Sequence, residues 1–279
     1  MAYKSLFSVL TDPNLAEEVL THGIAMADVL DAHLDVLCLG VDRSQTGYYY
    51  AGANAMVLQE TINRAQDESK AVEAKAKSIL TGSSVRWGTD IGVAQLADLG
   101  RHVAARARFS DLVILPQPYG ENRGAELEAV VEAALFDGQS AVFIVPEKGD
   151  PQPKPKSVVI GWNESAEALN AVRAAMPMLR QAEAVHVAVI DPPTHGPNRS
   201  DPGGMLSQYL SRHGVRAEID VLSKSLPRIS DMLSRHAADI EADLIVMGAY
   251  GHSRFREAIL GGATRNMLEL AELPVLMAH

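Results

Sequence analysis

The same order of segments runs through this chain twice, and that repetition constrains its fold more than any single motif. Lys4-Ser5 stands before a short apolar run, and Lys156-Ser157 stands before another. Further on, Asp111-Leu-Val-Ile-Leu is echoed by Asp243-Leu-Ile-Val-Met, and the apolar segments AVFIV and PVLMA close the two copies. A repeat of this length means two units of like topology rather than one large fold. Between the copies lies PEKGDPQPKP, rich in proline and charge, with the composition of an exposed linker. The division this predicts is a first domain over 1–147, a linker over 148–155 and a second domain over 156–279.

Within each copy, runs that are apolar throughout alternate with longer amphipathic stretches. Continuous apolar runs mark strands buried on both faces, and the helices between them supply the crossovers of a parallel sheet. In the first copy the pattern predicts strands at Tyr3–Leu10, Leu34–Leu39, Val85–Trp87, Leu112–Leu115 and Ala141–Val145. Helices are predicted over Leu15–Asp31, Ala53–Leu80, Val93–Arg108 and Leu127–Phe136. The second copy restarts with a strand at Ser157–Ile160, a helix at Ala166–Arg180 and a strand at Val185–Ile190. The expected fold class is therefore α/β, two tandem doubly wound parallel-sheet domains of five strands each. In such sheets ligands bind beyond the carboxyl ends of the strands, where the strand order reverses.

Composition narrows the partners. The formal charge of −10 argues against a nucleic-acid or anionic membrane footprint. No apolar run has the length of a bilayer span, and the first residues lack the basic-then-apolar form of a signal peptide. A cytoplasmic protein is expected. The single cysteine, Cys38, sits in the apolar run LDVLCLG, which excludes an intramolecular disulfide and fits a buried filler.

The segment with the most specific chemistry begins at Asp243. An apolar strand ends at Gly248; Gly251 follows, and after nine further residues Gly261-Gly262 precede a helical pattern. Glycines allow backbone to approach a ligand closely, and a helix N-terminus presents unpaired N–H groups to an anion. The same glycines also serve a plain turn, and spacing alone leaves both readings open. His252, Ser253, Arg254 and Arg256 offer donors and positive charge in the loop, or point into water. Thr264 either donates to a phosphate or bonds back to its own helix. After the first strand of the second copy, Asn163 or Ser165 is suited to cap the next helix, and Asn163 can also reach a base or sugar.

Other chemistry is sparse. The sequence has no GxSxG elbow, no GxxxxGK[ST] loop, and no GxGxxG after the first strand of either copy. No HxxxH or CxxC occurs, so spacing gives no metal site; His195 in the long loop 191–204 reads as a solvated histidine. Glu126 and Glu128 fall on a predicted helix face, where solvation is the ordinary reading. The run Tyr48 to Tyr50 reads as core or interface.

Gly248-Ala-Tyr-Gly251, nine residues, then Gly261 and a small residue, set between the fourth strand and a closing PVLMA strand, resembles the universal stress protein family in its tandem form. The resemblance implies a Rossmann-like, adenine nucleotide alpha hydrolase-like fold and a regulatory protein that binds ATP, or ADP or AMP, with Mg accompanying the phosphates. It implies contacts from Gly161, Trp162, Asn163 and Val189 to the nucleoside, and a phosphate cradle of Gly248, Gly251, Gly261, Gly262 and Ala263; His252, Ser253 and Thr264 are the further candidates from the residues themselves. Two positions depart from the family pattern: Asn163 stands where aspartate is usual, and Gly262 where serine or threonine is usual. It further implies a homodimer, or a pseudo-dimer of the two domains. The first copy has Pro116 at the place of Gly248 and Glu128-Ala129-Val130 at the place of the glycine pair, so it is expected not to bind a nucleotide triphosphate. A non-binding scaffold and a slow ATP hydrolase are the alternatives, and no catalytic base is evident for the latter.

Overall fold

The computed structural model describes residues 2–43, 54–121, 123–192, 201–250 and 262–279. The chain divides into two compact units, Tyr3–Ser140 and Ala141–His279.

The first unit contains β1 (Ser5–Leu10), β2 (His33–Asp42), β3 (Arg86–Gln95) and β4 (Leu112–Pro116). Their order in the sheet is β3-β2-β1-β4, and the pairings β1–β2, β1–β4 and β2–β3 are all parallel. The helices are α1 (Ala16–Leu30), α2 (Asn54–Leu80), α3 (Leu99–Ala107) and α4 (Glu126–Glu132), the last running into a π-helical turn at Ala133–Asp137. The order reverses between β1 and β4, both buried nearly throughout, as two-sided burial in a parallel sheet requires.

One segment departs from the expectation. Val85–Trp87 was read as a short strand and Val93–Arg108 as a helix, but β3 runs to Gln95 and α3 starts only at Leu99. Each residue of β3 pairs with the equally long β2, from Arg86↔His33 to Gln95↔Asp42. The alternation of Trp87, Thr89, Ile91 and Val93 fits a half-exposed strand at the end of the sheet. Alanines downstream imitate a helical period, and the ladder overrides them.

The second unit contains β5 (Val142–Val145), β6 (Ser157–Gly161), β7 (Ala184–Ile190), β8 (Glu218–Leu222), β9 (Leu244–Gly248) and β10 (Val275–Ala278). Their order is β5-β10-β9-β6-β7-β8. All pairs are parallel except β5 with β10, which is antiparallel. Its helices are α5 (Ala166–Leu179), α6 (Gly204–Arg212), α7 (Ile229–Asp239) and α8 (Ala263–Leu270). α5 lies against β9 and β10, while α7 touches β6, β7 and α8.

The repeat seen in the sequence has a structural counterpart at the start of each sheet. Asp111 Oδ2 accepts hydrogen bonds from the backbone N–H groups of Lys4 (2.7 Å) and Ser5 (2.9 Å). The Asp243 carboxylate likewise takes those of Lys156 (2.9 Å) and Ser157 (3.1 Å). Asp111 stands just before β4, which neighbours β1, and Asp243 just before β9, which neighbours β6, so each carboxylate fixes where that pairing begins. Among the described residues, no helix is long and apolar enough to cross a membrane.

Candidate functional site

In the second unit the strand order reverses between β6 and β9. Their register, Val158↔Leu244 to Gly161↔Met247, sets Gly161 opposite Met247 at the carboxyl edge, with Gly248 one residue beyond. This is the place where a doubly wound sheet leaves a crevice.

On the β6 side the chain leaves the sheet through Gly161, Trp162 and Asn163. Trp162 N–H still donates to Ala188 O at 3.0 Å, holding its backbone to β7. Asn163 Oδ1 accepts from Ser165 N–H (3.2 Å), and Ser165 Oγ accepts from Ala168 N–H (3.1 Å). Ser165 is therefore the cap of α5, and Asn163 closes the turn before it, with Glu164 between them in the left-handed region at φ 62°. Asn163 is exposed, and its carboxamide nitrogen takes no part in that turn. Val189, near the end of β7, is buried and pairs with Val221.

On the β9 side, Gly248 packs directly against the first turn of α5. A Cβ there would lie 2.5 Å from Ala168 N and 2.8 Å from the Glu167 carbonyl carbon. The close approach that makes glycine necessary at this position is thus made by the protein's own helix. Ala249 N–H donates to Ala278 O (2.8 Å), and Ala249 O contacts His279 Nδ1 (3.0 Å). Tyr250, in the left-handed region at φ 56°, donates its N–H to Thr264 Oγ1 at 3.0 Å.

Gly262 is extended at φ −62° and ψ 158°, and it precedes α8 with no side-chain cap. The first backbone bond back to it is from Asn266 N–H, 3.1 Å. The N–H groups of Ala263 and Thr264 belong to the first turn of α8, which a helix does not bond internally. Thr264 is buried, and its oxygen is engaged by the Tyr250 N–H rather than by its own helix. That bond brings the end of β9 to the first turn of α8. Gly251, His252, Ser253, Arg254, Arg256 and Gly261 lie outside the described residues, as do His195 and Tyr48 to Tyr50.

The corresponding region of the first unit is built differently. Pro116 ends β4, and Gln117 is buried after it. Arg43 contacts Glu126 at 2.5 Å and Glu68 at 3.2 Å, and Arg123 contacts Glu18 at 3.0 Å. Burial disfavours the Arg43 charge, but the Glu126 and Glu68 carboxylates more than offset it and hold the group above its ordinary range. Glu126 was expected on a solvated helix face, yet its side chain is only 6% exposed. A guanidinium stranded against α4 explains the difference. Glu128 accepts from the Tyr119 hydroxyl at 2.7 Å.

One cluster had no counterpart in the sequence reading. His186 on β7, Asp220 on β8 and His236 on α7 converge in the second unit. They are distant in sequence and form no ligand motif. The only signals were a histidine inside the apolar run AVHVAVI and an aspartate inside EIDVL.

The fold defines a tandem protein of doubly wound α/β units whose second unit reverses its strand order between β6 and β9. Residues 154–279 match the model of the universal stress protein family. Universal stress protein Slr1230 of Synechocystis sp. is 27% identical over 92 residues, a stretch that covers 33% of this chain and 31% of that protein. A universal stress protein from Archaeoglobus fulgidus superposes with a TM-score of 0.65 at 14% identity, covering 98% of this chain and 96% of that one. A Pseudomonas aeruginosa protein of unknown function superposes at 0.57, also at 14% identity, covering 99% and 92%. At such identities the superpositions establish the tandem fold alone.

Proposed function

We propose that the chain is a nucleotide-responsive regulatory protein of the stress response, with one adenine-nucleotide site in its second unit. The supporting observation is the Tyr250–Thr264 hydrogen bond. It brings the carboxyl end of β9 to the first turn of α8 at the point where the sheet reverses. A helix N-terminus at a switch point suits a phosphate group. The nucleoside then lies toward Trp162, Asn163 and Val189, and the phosphates toward Gly248, Gly262, Ala263 and Thr264. ATP is the favoured ligand, with Mg2+ carried by its phosphates. Asn163 supplies an uncharged contact to ribose.

In the first unit, Arg43 and Arg123 are each committed to carboxylates, and Pro116 offers no N–H to an anion. That unit therefore serves a role other than triphosphate binding. A cytoplasmic location and assembly as a homodimer complete the reading.

Calorimetric titration of the full chain with ATP, ADP and AMP in the presence of Mg2+ tests it. Ala263→Pro is the informative variant. Proline is well tolerated at the first helical position, and extended Gly262 before it is compatible. The substitution removes one N–H and leaves the helix. Loss of one donor to a charged acceptor, about 1.5–3 kcal/mol, weakens ATP binding roughly tenfold to a hundredfold without lowering Tm. Absence of binding at millimolar nucleotide to the folded protein would falsify the reading and leave a scaffold as the role.

A further inference from the structure

We propose that His186, Asp220 and His236 form a site for one divalent transition-metal ion, Zn2+ by preference, independent of the nucleotide crevice.

The geometry carries this. Asp220 Oδ2 lies 2.9 Å from His186 Nδ1 and 2.9 Å from His236 Nε2. All three atoms fall within 4.8 Å of one another. Both imidazoles aim at the same carboxylate oxygen, so three potential ligand atoms converge on one small volume. In tetrahedral zinc with bonds of about 2.0–2.1 Å, neighbouring ligand atoms stand about 3.3 Å apart. The two 2.9 Å contacts need open only by about 0.4 Å to reach that spacing, while the two imidazole nitrogens, within 4.8 Å, draw together to match it.

The donors come from three regular elements. The register Ala188↔Asp220 and His186↔Glu218 puts His186 and Asp220 on one face of the sheet, and α7 lays His236 over them. The opposite face, with Val187, Val189 and Ile219, is turned toward Gly203. Donors held on a strand pair and a helix are preorganised in a way that loop donors are not. Their side chains are 17%, 24% and 12% exposed, shielded from bulk water but with room for a fourth ligand. Two neutral imidazoles and one carboxylate suit zinc and its first-row neighbours, while magnesium and calcium require oxygen ligands. The bound ion leaves a net charge of +1 at the site, with water or an external anion in the open position.

The ion also has a structural consequence. β8 is the last strand of its sheet in the described order, and the site ties it to β7 and α7. Metal binding to the folded state alone raises Tm. Because the ligands must be unprotonated imidazoles, binding weakens as the pH falls.

The test uses the full chain stripped with EDTA and titrated with Zn2+ against a chromophoric chelator. One equivalent is expected to bind and to raise Tm. Asp220→Asn and His236→Ala are each expected to weaken binding at least about tenfold. Co2+ in place of Zn2+ should give the intense visible absorption of a four-coordinate site. The chain has nine histidines, so adventitious binding needs its own control. In the unsubstituted chain, imidazole nitrogen NMR should show Zn2+ perturbing the rings of His186 and His236. Perturbation confined to other histidines overturns the proposal. So does affinity unchanged in the His186→Ala/His236→Ala double variant, or failure of the wild-type chain to bind one equivalent.

Discussion

A methyl group on Gly248 would stand 2.5 Å from the Ala168 nitrogen, a distance that backbone atoms cannot relieve without moving α5. Gly248→Ala is therefore expected to destabilise the second unit by about 1–3 kcal/mol, the usual cost of overpacking, read as a lower denaturant midpoint. Gly161→Ala meets only the Leu233 Cδ1 atom at 3.0 Å, at the end of a side chain that can turn, so its effect should be smaller. The difference matters for how glycines in a binding motif are understood: Gly248 is required by packing even with no ligand present. Cys38 gives a second expectation. It is fully buried, and burial, followed by the Glu73 charge, pushes its thiol up to about 12. A thiol reagent at pH 8 should leave the native protein unmodified and titrate one cysteine after unfolding, because the thiolate is the reactive form.

At the scale of elements, Asp111 and Asp243 make the clearest prediction. Each carboxylate satisfies two backbone N–H groups, Asp111 at the entry to β1 and Asp243 at the entry to β6. Hydrogen bonds to a charged group contribute about 1.5–3 kcal/mol. Asp111→Ala and Asp243→Ala should therefore each lower thermal stability, and both effects should be visible by calorimetry. These aspartates were legible in the sequence only as matching letters in a repeat, and the structure gives them their physical role. The buried strands β1, β4, β6 and β9 were equally legible, since two-sided burial leaves an unbroken apolar run. β3 was not, because an end strand is half exposed and its pattern gives way to downstream alanines. The Asn163–Ser165 turn was readable from residue types. The Tyr250–Thr264 bond was not, because it joins groups fourteen residues apart in sequence. The His186–Asp220–His236 cluster depends on register between strands, which no single segment encodes.

For the whole molecule, the two copies in the sequence and the two compact units do not divide the chain in the same place. The proline-rich stretch after Val145 marks a change of composition, yet the contacts change at Ser140–Ala141. The last strand of the first copy, β5, pairs antiparallel with β10, at Ile144↔Val275 and Val142↔Met277. A fragment of 141–279 is therefore expected to run as a single species on size exclusion, whereas 156–279 should self-associate through the uncovered edge of β10. Equal behaviour of the two fragments would show that β5 is not needed to protect that edge. The pairing also orders events during synthesis. β5 leaves the ribosome well before its partner β10, so this edge of the sheet stays open until Val275–Ala278 have emerged. Until then the apolar segment VFIV waits without its strand, and a chain stopped short of Val275 would carry that exposed segment for the whole of its lifetime.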